Sequence, residues 1–171
     1  MKLASFSIGN RCSYGVVTDE GVIDISQQPG APGNLRSALA KLTTEEIAAL
    51  TAGRLPDHEL GDIVYLPPIT DPKKILCIGV NYVNRNEEYD ETTLPQYPSV
   101  FIRTPGSLVG HLQPIIRPME SKQLDYEGEI AIIIGKAGRR IPQESAESYI
   151  AGLTVLQEGS VRDWMRHGKF N

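Results

Sequence analysis

The stretch LDYEGEIAIIIG, Leu124 to Gly135, decides how this chain is read. It opens with Asp125, Glu127 and Glu129 charged and then turns wholly apolar. Side chains two apart on a strand share a face. Glu127 and Glu129 therefore project side by side, and Ala131 and Ile133 continue that face into a run of Ile that reads as core. Two readings follow. The carboxylates are a strand end emerging into water, or they are a pair held at the mouth of a cavity to meet a cation.

Working outward, two more polar clusters follow apolar strands. NYVNRNEEY, Asn81 to Tyr89, follows KILCIGV, and QEGSVRD, Gln157 to Asp163, is entered from LTVL. Strand ends with carboxylates, three times over, suit a hard divalent cation such as Mg²⁺ or Mn²⁺ and offer nothing soft for zinc or copper. His58, His111 and His167 lack ligand spacing, and Cys12 and Cys77 form neither a metal motif nor a disulfide framework.

The rest of the chain bounds the answer. Its 171 residues suffice for one domain, or one domain with a small appendage. The 16 Gly and 12 Pro imply short elements and many turns, so the expected class is α+β and β-rich. A net charge of −4 leaves no basic stripe for nucleic acid. No apolar run reaches membrane-spanning length and no secretory h-region opens the chain, so the expected location is the cytoplasm.

Residues 1–70 read as a small N-terminal unit. LASFSI, SYGVVT and VIDI form a strand meander, and two short helices follow in LRSALAKL and TTEEIAAL, the second with Thr43 and Glu46 spaced as a capping box. The Pro cluster of IVYLPPITDP marks a linker near residues 66–72. In residues 71–171, KILCIGVNY, SVFIRTP, PIIRP, YEGEIAIIIG and LTVL read as strands, with a helix over Tyr82–Tyr89, a short helix near SAESY and another starting near Ser160.

CIGVNY, VFIRTPGSLVG, LDYEGEIAIIIGKAGRRI and IAGLTVLQEGSVRD, taken in series, resemble the fumarylacetoacetate hydrolase superfamily from about Lys74 onward. The similarity is to acylpyruvate hydrolase and 2-hydroxyhepta-2,4-diene-1,7-dioate isomerase types. It implies a mixed β-roll, usually a homodimer, and Mg²⁺ or Mn²⁺ bound by Glu127, Glu129 and Glu158. It also implies Arg162, Arg103 and Tyr82 as substrate contacts, and chemistry on small 2-oxo or 1,3-dicarbonyl acids in aromatic or sugar-acid breakdown. Gly128 between the two carboxylates leaves room for close approach. Family members continue well past Asn171, so the roll is expected to be incomplete in this chain.

The sequence departs from the family at several positions. The acid–base pair falls on Arg85 and Glu88 where the family has His and Glu, and arginine stays charged at any working pH. The third ligand is Glu158 instead of the common Asp, Met165 replaces a frequent Gln, and Arg103 replaces a frequent Lys. His111 caps a turn or supplies a base. The expected function is divalent-metal-dependent hydrolysis or cleavage of a C–C bond in an acylpyruvate-type acid. The alternatives are isomerisation or decarboxylation of a 2-oxo or 2-hydroxydienoic dicarboxylate, and a weakly catalytic metal- or carboxylate-binding module.

Overall fold

Strand β1 (Lys2–Ile8) pairs antiparallel with β2 (Arg11–Val17) through the tight turn at Gly9, whose φ of +55° is a left-handed conformation suited to glycine. The chain is seen here in a computed structural model that describes residues 1–79, 81, 82, 84 and 97–166. With β3 (Val22–Asp24) and β4 (Val64–Tyr65) these strands form a sheet of order β3-β2-β1-β4. Helix α1 (Leu35–Lys41) is capped by the Asn34 side chain, which accepts from the Ser37 N–H at 2.9 Å. Helix α2 (Thr44–Thr51) carries the expected capping box, with Thr43 and Glu46 each accepting from the other's backbone. Tyr14, Ile25, Leu35, Ala38 and Ile47 bury their side chains together between sheet and helices.

The Pro cluster after β4 does not hang free. Leu66 N–H donates to the Ser5 carbonyl at 2.9 Å and Ser5 Oγ donates to the Pro68 carbonyl at 2.7 Å. By compactness, residues 1–70 group with 109–170, and 71–108 form a second unit. Within the first unit, Gly110 lies so close to the Tyr65 carbonyl that a Cβ there would clash at 1.9 Å, and the His111 ring meets Tyr65 edge-on at 5.4 Å. His111 is thus a packing partner of Tyr65 in this structure.

In the second unit, β5 (Ile75–Gly79) pairs antiparallel with β6 (Ser99–Arg103). The expected helix over Tyr82–Tyr89, with Arg85 and Glu88, lies outside the described residues, apart from Tyr82 and Asn84.

The remaining strands build one long antiparallel ribbon in two steps. β7 (Leu124–Asp125) pairs with β10 (Ser160–Val161), and β8 (Gly128–Ile134) pairs with β9 (Ile150–Gln157). Three expectations need correction here. PIIRP is not a strand, because prolines on both sides remove the N–H donors that a ladder needs. Among the described residues no α-helix starts near Ser160: that residue pairs with Asp125, and a 3-10 turn at Trp164–Arg166 follows. The Ile run is not all core. Ile130, Ile132 and Ile134 face out together with Leu153 and Val155, while Glu129, Ala131 and Ile133 take the more covered face. Among the described residues, no helix is long and apolar enough to cross a membrane.

Candidate metal centre

The ribbon's register sets the site. Glu129 stands opposite Leu156, so Glu127 and Glu158, each two residues on, fall opposite one another and on the same face as Glu129. Regular pairing is interrupted at this point, between the β8–β9 and β7–β10 ladders, and the Glu158 N–H bridges the gap by donating to the Glu127 carbonyl at 2.8 Å. One carboxylate oxygen from each of Glu127, Glu129 and Glu158 lies within 4.8 Å of the others. Glu158 is the buried member and the other two are half-buried.

The donor set fits a hard cation. Three carboxylates and no thiol or imidazole match the oxygen preference of Mg²⁺ and Mn²⁺. Two ligands on opposite sides of a Mg²⁺ lie about 4.2 Å apart, twice the metal–oxygen distance. The three oxygens therefore need only small side-chain adjustments to share one ion. Like charges directly opposite across a ladder repel, which gives the cluster a reason to take up positive charge. Gly128 plays no steric part in this: a Cβ there would meet nothing within 4 Å, which corrects the close approach expected at that position.

Arg162 lies beside the cluster. Its Nε donates to Asp125 Oδ2 at 3.0 Å, and its Nη2 lies 3.2 Å from Glu127 Oε1. The turn that carries it is fixed by its own N–H on the Gln123 carbonyl at 3.0 Å and by Ser121 Oγ, which donates to Asp163 Oδ1 at 2.6 Å. Arg117 Nη1 donates to the Ser121 carbonyl of the same loop. Asp125 was not among the expected site residues. Its signal lay in the alternation of Asp125, Glu127 and Glu129, which places the three carboxylates two residues apart along the chain.

Tyr82 and Arg103 belong to the second unit. Tyr82 is half exposed just beyond β5, and the Arg103 guanidinium lies over the Phe101 ring at 6.0 Å. Arg85 and Glu88 fall outside the described residues.

Residues 74–171 match the family model of the fumarylacetoacetate hydrolase C-terminal domain. The chain belongs to this family. It is 36% identical over 153 residues to the mitochondrial oxaloacetate tautomerase Fahd2a of Rattus norvegicus, a match spanning 87% of this chain and 49% of the relative. The fumarylacetoacetate hydrolase of Exiguobacterium antarcticum superposes with a TM-score of 0.76 at 30% identity, over 97% of this chain and 58% of that one. Maleylpyruvate hydrolase from Sphingobium sp. SYK-6, solved with manganese(II) and pyruvate, superposes with a TM-score of 0.72 at 26% identity, over 95% of this chain and 60% of that one. The chain spans about half the length of the Rattus norvegicus relative. The β-rich family fold expected from the sequence is the fold found.

Proposed function

We propose that this fumarylacetoacetate hydrolase family chain serves a divalent-metal enzyme acting on a small 2-oxo dicarboxylate, and that its reaction is keto–enol interconversion, with oxaloacetate as substrate. The observation that carries this reading is the convergence of Glu127, Glu129 and Glu158 on one face of the ribbon. These three side chains hold the cation. When bound, Mg²⁺ or Mn²⁺ supplies Lewis-acid polarisation of the substrate's 2-oxo oxygen.

The residues favour tautomerisation over hydrolysis. Hydrolysis needs a group that activates water; Arg85 cannot accept a proton, so that task would fall on the Glu88 carboxylate without the histidine of the family pair. A keto–enol shift needs only a proton carrier beside a stabilised enolate, a role assigned here to Glu88. Arg85 then attracts a substrate carboxylate, and Arg103 and Tyr82 are further substrate contacts. A relative at 36% identity is named an oxaloacetate tautomerase, which supports the same choice. The division of the chain at residue 70 is part of the proposal, since among the described residues strands β1–β4 make their sheet with each other alone.

The test follows the enol band of oxaloacetate by ultraviolet absorbance, with Mn²⁺ and with EDTA. Metal-dependent acceleration of its relaxation, with no release of pyruvate, is the expected result. Acid release from an acylpyruvate, with no effect on the oxaloacetate enol, would replace tautomerisation with the hydrolysis expected from the sequence. No effect on either substrate would leave the binding-module reading.

A further inference from the structure

Arg162 does not project freely from its turn. Its guanidinium bridges two carboxylates, through Nε to Asp125 at 3.0 Å and through Nη2 to Glu127 at 3.2 Å, and its Nη1 faces the Met165 sulfur at 3.8 Å. Its side chain is three-quarters buried, with a relative exposure of 25%. The guanidinium is a rigid planar array of donors, suited to fixing the relative placement of two carboxylates. Asp125 pairs with Ser160 across β7–β10, and Arg162 follows in the turn just after β10, so the arginine ties together the two chain segments that supply Glu127 and Glu158.

We propose that Arg162 is the internal counter-ion and positioning residue of the carboxylate cluster. Asp125 holds it in place, and it orients Glu127 and offsets the repulsion among Glu127, Glu129 and Glu158 before a cation arrives. The proposal rests on reading that cluster as a metal centre. It moves Arg162 away from the substrate-gripping role that the sequence suggested.

The physical argument is one of substitution. Opposed like charges destabilise a strand pair, and attraction between partly desolvated charges is stronger than between charges in bulk water. Without metal, the guanidinium provides that attraction to Glu127. A bound divalent cation provides more of it and touches all three carboxylates. Arg162 should therefore matter most to the metal-free protein and least to the loaded one, the reverse of what a pure substrate contact would show.

The experiment compares wild type, R162M, R162K and D125N by thermal unfolding in EDTA and in saturating Mn²⁺, with Mn²⁺ affinity read from the electron paramagnetic resonance of the free ion. R162M in EDTA should melt about 2–4 °C below wild type, and saturating Mn²⁺ should raise its midpoint by more than it raises the wild type's. R162K, which keeps the charge and loses the fork, should fall between the two. D125N should weaken Mn²⁺ binding about tenfold, the lower end of what supporting residues around a metal contribute. Without the Asp125 charge, Arg162 loses the partner that shares it with Glu127 and competes more strongly with the cation, and one negative charge is gone. The proposal is overturned if R162M in EDTA melts within about 1 °C of wild type and Mn²⁺ shifts both equally, or if D125N binds Mn²⁺ as tightly as wild type. A wild type that binds no Mn²⁺ overturns the metal reading, while the loss in R162M with EDTA still decides whether Arg162 is the counter-ion of the cluster.

Discussion

The N-terminal sheet and the β8–β9 ribbon are both antiparallel and both rich in branched apolar residues, yet they end in opposite states. In the sheet, Phe6 and Val22 are wholly buried and Tyr14 and Ile25 nearly so. In the ribbon, Ile130 is 66% exposed and Val155 85%. The difference lies in what covers each face. Helices α1 and α2 and the chain around Ile63 close over the sheet, whereas no described helix packs on the outward face of the ribbon. Period-two alternation thus states which residues share a face and says nothing of what will cover it.

The largest expected effect tests that contrast directly. Phe6→Ala should destabilise the protein by about 3–5 kcal/mol, as truncation of a buried aromatic does. Ile132→Ala should cost about 1 kcal/mol or less, in keeping with a half-exposed site. Urea unfolding followed by circular dichroism measures both. A loss at Ile132 as large as that at Phe6 would break the comparison and show that the ribbon's outer face is covered in solution.

Asp24 offers a smaller, pH-dependent test of the closed region. Burial pushes its pKa up, but Ser13, Ser26 and Arg11 outweigh that by hydrogen bonding to the carboxylate, and the Arg11 charge adds to them, so the net shift is downward. Ser13 Oγ donates at 2.6 Å, Ser26 Oγ at 2.8 Å and Arg11 Nη1 at 3.0 Å. A carboxyl with a depressed folded pKa stabilises the fold above the unfolded value of about 3.9, and that stability is lost as pH falls through the folded value. Asp24→Asn should therefore cost about 1–3 kcal/mol at pH 7, and the gap between variant and wild type should shrink as the pH drops below about 4. Urea midpoints at neutral and acid pH measure the gap. A gap that stays constant with pH would show that Asp24 acts through its shape alone.

The capping box of α2 should show the smallest effect. Thr43→Ala removes one side of a reciprocal pair on an exposed turn and should cost about 1 kcal/mol, visible as a small fall in the thermal midpoint. Glu46→Gln, which can still accept from the Thr43 N–H, should lose less. Equal losses would assign the effect to charge near the helix start.

How far the sequence could be read follows from the range of each interaction. The capping box joins residues three apart and was legible in the sequence, as was the shared face of Glu127 and Glu129, which follows from strand periodicity alone. That Glu158 faces Glu127 depends on the register of β8 with β9, and pattern does not supply a register; only the resemblance to the family pointed to Glu158. The Arg162–Asp125 contact was not legible, because it depends on β7 (Leu124–Asp125) pairing with β10 (Ser160–Val161), which are far apart in the chain. An apolar run such as Ile132 to Ile134 looks like core whether or not anything covers it.

The central claim is that three carboxylates on one ribbon face form a single divalent-cation site. Its most direct test is a Mn²⁺ titration of wild type and Glu158→Gln, followed by isothermal calorimetry. Glu158 is chosen because it is the buried member of the cluster and stands opposite Glu127. The expected result is one saturable site in the wild type and binding weakened about tenfold or more in the variant, with the fold intact by circular dichroism. Equal affinity in the two proteins would contradict the account and leave the carboxylates as a solvated strand end.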